Sequence, residues 1–193
     1  MRKISVLLVF SVALLLPLAA FGQSSTLKID NDFVHKQFGS DFTLVPEIGV
    51  SVGDLDGDGI EDAVIAARCH NPLLDEAQNN YTVIDPYMTF YGYGDPKITL
   101  GFGDGDPARR GLVVLIIHGA GPQAWRSESP KAKFVIINLP YRQVSVRKLT
   151  MARKHQKQIM AIYIEENNDF KETSAVYFDG KHYKYVPMGE TME

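Results

Sequence analysis

Four aspartates, Asp54, Asp56, Asp58 and Asp62, stand at positions 1, 3, 5 and 9 of the run DLDGDGIED, with Gly57 and Gly59 between them. Carboxylates on alternate residues of a tight loop turn onto one centre. That is a donor set for a hard cation, calcium taking about six to eight oxygens at about 2.3–2.6 Å. In such a loop Asp54, Asp56 and Asp58 ligate through their side chains, Ile60 through its backbone carbonyl, and Asp62 directly or through water. Gly59 falls at the sixth position, where the chain bends sharply and a Cβ is unwelcome. Glu61 is expected to point to solvent. No Lys or Arg lies inside the run, so its carboxylates repel one another unless a cation neutralises them. The alternative is a solvated turn, since Asp and Gly both favour turns for local reasons.

Strands must position this loop. Val50-Ser51-Val52 precedes it and Ala63-Val64-Ile65-Ala66-Ala67 follows, short alternating or apolar runs rather than long amphipathic helices. The spacing is that of the first nine positions of an EF-hand loop, but the twelfth position, a bidentate Glu in that motif, is Ile65. A unit of strand, acidic loop and strand over residues 48–68 resembles the FG-GAP (VCBS-type) repeat, the calcium-loop blade of integrin α-chain propellers and many secreted bacterial proteins. GDLDGDGIEDAVIAA carries the resemblance, with Ile48-Gly49 near the position of Phe-Gly and Ala66-Ala67-Arg68 where Gly-Ala-Pro would stand. The resemblance implies one structural Ca2+ in a propeller-type blade.

The chain opens with a basic Met1-Arg2-Lys3, an apolar run from Ile4 to Leu16, and small residues at Ala20 and Gly22. This is the pattern of a secretory signal peptide, expected as residues 1–22, and it predicts a secreted or periplasmic product of residues 23–193 forming a single domain. Nothing later in the sequence is apolar for long enough to span a bilayer. A formal net charge of −3, made more acidic by loss of Arg2 and Lys3, gives no electrostatic case for nucleic acid or anionic lipid. The one cysteine, Cys69, has no internal partner. It reads as a buried small side chain at a strand end, pairing between chains being the alternative.

Leu112 to Gly121, LVVLIIHGAG, raises a competing chemistry. A strand running into His118-Gly119-Ala120-Gly121 resembles the oxyanion turn of α/β-hydrolases, which would make the chain an esterase. That chemistry needs a Gly-x-Ser-x-Gly elbow downstream, and Ser127, Ser129, Ser145 and Ser174 all lack the flanking glycines. The expectation is therefore a non-enzyme, with His118 a strand-end residue near Trp125.

The aromatic stretch Tyr81, Tyr87, Phe90, Tyr91 and Tyr93 offers a third idea, a carbohydrate or adhesion surface for a protein or glycan partner. It reads first as a lid on the sheet, with short strands at 81–84 and 88–91. A helix is expected over 32–39, a strand at 97–100, and a degenerate copy of the acidic loop, or a plain turn, at 101–107. Strands are expected at 112–117, 133–139, 143–146 and 158–164, with a helical or turn segment at 150–158. A hairpin closes the chain, its strands at 174–178 and 182–186 flanking Asp179-Gly180. So many short strands predict a mainly β domain of short antiparallel strands, an open propeller-blade-like stack or a β-sandwich. There is too little chain for a closed propeller.

Overall fold

The two most continuously apolar runs, DAVIAAR and LVVLIIH, lie side by side in the middle of one sheet. Such strands need both faces covered. The computed structural model describes residues 28–98, 106–151, 157–167 and 172–188, and over these the chain is mainly β. The expected signal peptide, residues 1–22, lies outside the described residues. So do residues 99–105, which hold most of the expected second acidic loop and the end of the strand expected at 97–100.

The first sheet contains β1 (Thr43–Leu44), β2 (Val50–Gly53), β3 (Asp62–Arg68), β4 (Thr82–Ile84), β5 (Leu112–His118) and β6 (Ala132–Ile136). Its order is β1-β3-β5-β6-β4, with β2 also on β3. β1 and β2 share one edge of β3, Thr43 pairing with Arg68 and Val50 with Ile65. All pairs are antiparallel except β4 with β6. The second sheet is a meander of β7 (Gln143–Met151), β8 (Lys157–Glu165), β9 (Ser174–Phe178) and β10 (Tyr183–Pro187).

Alternation along the central strands builds two cores. Val64, Ala66, Val114 and Ile116 face the second sheet and pack with Ile162, Ile164 and Val176. Ala63, Ile65, Val113, Leu115 and Ile117 face the other way, onto Phe33, Phe38, Phe42, Tyr81 and Trp125. The helix in that outer layer, α1 (Asn31–Phe38), is capped by Asp30, whose side chain accepts from the Phe33 N–H at 3.0 Å, and it ends at Gly39 with φ 105°. At the end of β2 the sheets come so close that a Cβ on Gly53 would lie 2.7 Å from Val146 Cγ1 and 2.9 Å from Met160 Cε.

Three expectations about local structure are corrected. Lys97 and Ile98, expected to open a strand at 97–100, lie in none, and Lys97 has φ 51°, a left-handed backbone that breaks extended structure. Residues 88–91, read as a strand, belong to a short helix, α2 (Pro86–Phe90) and its cap Tyr91. Asp85 caps it and Pro86 occupies its first turn, a helix-start signal that outweighs the β preference of the aromatics. Its Tyr87 and Phe90 rings sit 5.1 and 5.4 Å from that of Tyr185, closing one end of the inter-sheet core. The segment 150–158, read as helical or turn, instead supplies the end of β7 and the start of β8, residues 152–156 lying outside the description. Cross-strand pairing of β7 with β8, from Gln143–Glu165 to Met151–Lys157, outweighs the polar composition there. Cys69 is buried and free, its Sγ 3.1 Å from Asp41 Oδ2, which also accepts from the His70 and Asn71 N–H groups.

Candidate functional site

The acidic loop joins β2 to β3, closed at its base by the Gly53–Asp62 pair. Inside it, the carboxylates organise the backbone. Asp54 Oδ1 accepts from the N–H groups of Gly57 (2.7 Å) and Asp58 (3.1 Å), and its Oδ2 accepts from Gly59 (2.9 Å). Asp56 Oδ1 accepts from Asp58 N–H at 3.1 Å, and Asp58 Oδ1 from Ile60 N–H at 2.8 Å. These nested turns need left-handed backbone at Gly57 (φ 80°) and Gly59 (φ 84°), a conformation glycine adopts freely. Oxygens of Asp54, Asp56 and Asp58 come within 4.8 Å of one another, a spacing at which a metal ion could be held. The loop also borders a cleft of about 410 Å³ whose far wall is Met160, Tyr177 and Phe178 of the second sheet.

Asp62 has another role. It is buried, and its oxygens accept from the N–H groups of Leu55 (2.7 Å) and Gly119 (2.8 Å), stapling the loop to the end of β5. Burial pushes its carboxyl up to about 6 against the pull of those two donors. Asp62 stands outside the group of three whose oxygens converge. Ile60 donates its N–H to Asp58, and its side chain lies where a Cβ on Gly119 would go. Only glycine fits at 119, because that Cβ would also meet the Glu61 carbonyl oxygen.

Glu61 does not simply face solvent, as its place in the run suggests. Its side chain accepts from Trp125 Nε1 at 2.7 Å and pairs with Arg126 at 3.4 Å, and its carbonyl accepts from the Trp125 N–H. His118 ends β5, as expected, but its ring does not join Trp125. β5 alternation turns it toward the second sheet, among Phe134, Phe178 and Tyr183, whereas Trp125 packs edge-on to Phe33 in the outer layer. His118 Nε2 lies 2.6 Å from Tyr183 Oη, and Nδ1 lies 3.5 Å from Asp56 Oδ2. Burial lowers the pKa of this imidazole, against an opposing pull from Asp56. Burial raises the Tyr183 phenol.

The residue that sequence reasoning missed is Lys131. Its Nζ lies 2.6 Å from Asp56 Oδ2 and 2.8 Å from Asp58 Oδ2, and this contact holds the Asp58 carboxyl below its ordinary range. It lies 73 residues beyond Asp58 in the chain, and a lone Lys before a strand carries no signal of such a contact.

The turn after His118 is closed on itself: Gly119 N–H donates to Asp62 and Ala120 N–H to the Ala124 carbonyl at 3.1 Å. Comparison with models of known families, with curated proteins and with solved structures finds no match. Among the described residues no helix is long and apolar enough to cross a membrane.

Proposed function

We propose that this chain is an exported, non-catalytic β module of the FG-GAP-like kind whose Asp54–Asp62 loop takes one structural calcium ion. The observation that supports the reading is the convergence of the Asp54, Asp56 and Asp58 oxygens to within 4.8 Å of one another. Those three side chains and the Ile60 carbonyl would hold the ion. Asp62 would serve through water, or by anchoring the loop from behind. A bound ion would replace carboxylate repulsion with attraction and fix the β2–β3 connection, and with it the adjoining cleft. Phe90, Tyr91 and Tyr93, exposed at the α2 end, with Tyr93 at 70%, are the surface on which a protein or glycan partner would be received.

A hydrolase has less support, because the two N–H groups that would form an oxyanion hole already have acceptors inside the fold. The specific competitor is a metal-free turn neutralised by Lys131. Calorimetric titration with calcium decides between them. Saturable binding that disappears in Asp58→Ala is expected, and no heat beyond dilution at several millimolar calcium would reject the site.

A further inference from the structure

The cleft of about 410 Å³ beside the acidic loop is floored by one end of the second sheet. Side-chain alternation decides what that floor presents. Met160 on β8 faces the inter-sheet core, Lys148 on β7 pairs with it, and Phe178 on β9 shares the face of Val176. Two residues before Met160, Gln158 turns the same way. The result is an apolar pair, Met160 and Phe178, with Lys148 on one flank, Gln158 at the end and Asp179 just past Phe178.

The polar groups around this floor are unspent. Among the described residues nothing bonds the Lys148 ammonium or the Gln158 amide, and both side chains are exposed. Asp179 gives Oδ1 to the Lys181 and His182 N–H groups, which leaves Oδ2 as an acceptor. The opposite wall is already served: Asp54 accepts from three backbone N–H groups, and Asp56 from the Asp58 N–H and Lys131.

We propose that this cleft is a binding site for a neutral saccharide of one or two rings, seated with an apolar ring face on Met160 and Phe178. The size fits, since small-molecule sites run from about 300 to 1,000 Å³. Charge points the same way: Lys148 and Asp179 offset one another and the loop carboxylates have partners, so the cleft selects neither a cation nor an anion. A sugar ring carries hydroxyls that donate and accept around its edge and C–H groups on its faces. The cleft matches it with a donor at Lys148, both functions at Gln158, an acceptor at Asp179 and an apolar floor between them. β7 and β9 lie two strand spacings apart, about 10 Å, so Lys148 and Asp179 reach opposite edges of one ring. The ammonium and carboxylate of an α-amino acid stand too close together to span that gap. No cation enters this inference, which goes beyond the calcium reading above.

The test uses the full mature chain in chelator, so that it stands or falls apart from the metal site. Glucose, galactose, mannose, N-acetylglucosamine, cellobiose, lactose and chitobiose are titrated singly while NMR follows the Met160 methyl in protein with labelled methionine methyls. At least one sugar should shift that methyl saturably, with a dissociation constant on the order of millimolar for a ligand held by so few polar anchors. Lys148→Ala and Gln158→Ala, both at exposed positions, should each weaken binding about fivefold or more. Lys181→Ala, next to the same turn but outside the cleft, should leave it unchanged. Phenylalanine, a zwitterion with an apolar body, should not shift the methyl. Binding of no sugar overturns the inference, and binding of phenylalanine in place of sugars overturns the ligand class. Sugar binding that survives Lys148→Ala and Gln158→Ala but is lost in Tyr93→Ala places the sugar at the α2 end and also overturns it. Calcium binding without sugar binding overturns the saccharide site and leaves the metal reading standing.

Discussion

Two Asp-Gly connections join antiparallel strands here, and they solve the same local problem with different numbers of carboxylates. In the β9–β10 turn a single carboxylate oxygen, Asp179 Oδ1, accepts from the N–H groups of Lys181 (2.9 Å) and His182 (2.7 Å), and those bonds hold the Asp179 carboxyl below its ordinary range. In the β2–β3 loop Asp54, Asp56 and Asp58 do the same service for Gly57, Asp58, Gly59 and Ile60, yet Asp56 Oδ2 and Asp58 Oδ2 are left to a cation. What separates the two is therefore convergence: the turn leaves one spare oxygen, Asp179 Oδ2, whereas the loop brings two, Asp56 Oδ2 and Asp58 Oδ2, onto one Nζ. Asp content alone does not reveal it.

The largest expected effect comes from the anchor that the turn lacks. Asp62→Ala strands two buried N–H groups, those of Leu55 and Gly119, and should cost about 2–4 kcal/mol in denaturant unfolding. A loss no greater than that of Asp179→Ala would mean that the loop is not stapled from within. Calcium comes next: at about 5 mM, an extracellular-type site should raise stability by roughly 1–2 kcal/mol, a few degrees in Tm. Asp58→Ala should abolish that rise and Asp179→Ala should leave it intact, as thermal melts in chelator and in calcium would reveal. Asp179→Ala itself should cost about 0.5–1 kcal/mol, since its donors lie at the surface where water can replace it.

The smallest effect is a slope. The loop is backed by buried His118, whose pKa lies below its ordinary value, whereas the turn carries an exposed His182. Below about pH 6.5 the unfolded chain takes up a proton that folded His118 refuses, so this contribution is complete above that pH and is lost as pH falls toward the folded value. Tm measured from pH 5 to 8 should fall less steeply on the acid side in His118→Asn than in the parent. An unchanged slope in the variant would remove His118 from the account.

Much of this fold was legible because its signals are local. β3 and β5 announce themselves as apolar runs bounded by polar residues, Asp179-Gly180 marks the last hairpin, and Gly39 ends α1. The loop's conformation is equally local, written in the spacing of Asp54, Asp56 and Asp58. What could not be read depends on the register of distant segments. Lys131 reaches the loop because β6 pairs with β5, Tyr183 meets His118 because the second sheet covers the first, and Glu61 is claimed by Trp125, 64 residues on. α2 was misread for a different reason: an Asp-Pro start can decide a five-residue element against the β preference of its side chains.

Cys69 sits one residue past β3 with its sulfur against Asp41 Oδ2, and burial, aided by that carboxylate, pushes the thiol far above the range in which it ionises. Disulfide exchange is carried by thiolate, so the folded chain offers an oxidant or a mixed disulfide almost no nucleophile at this sulfur. In an oxidising medium the native protein should keep its free thiol, and covalent dimers should form only from chains that have opened near Asp41.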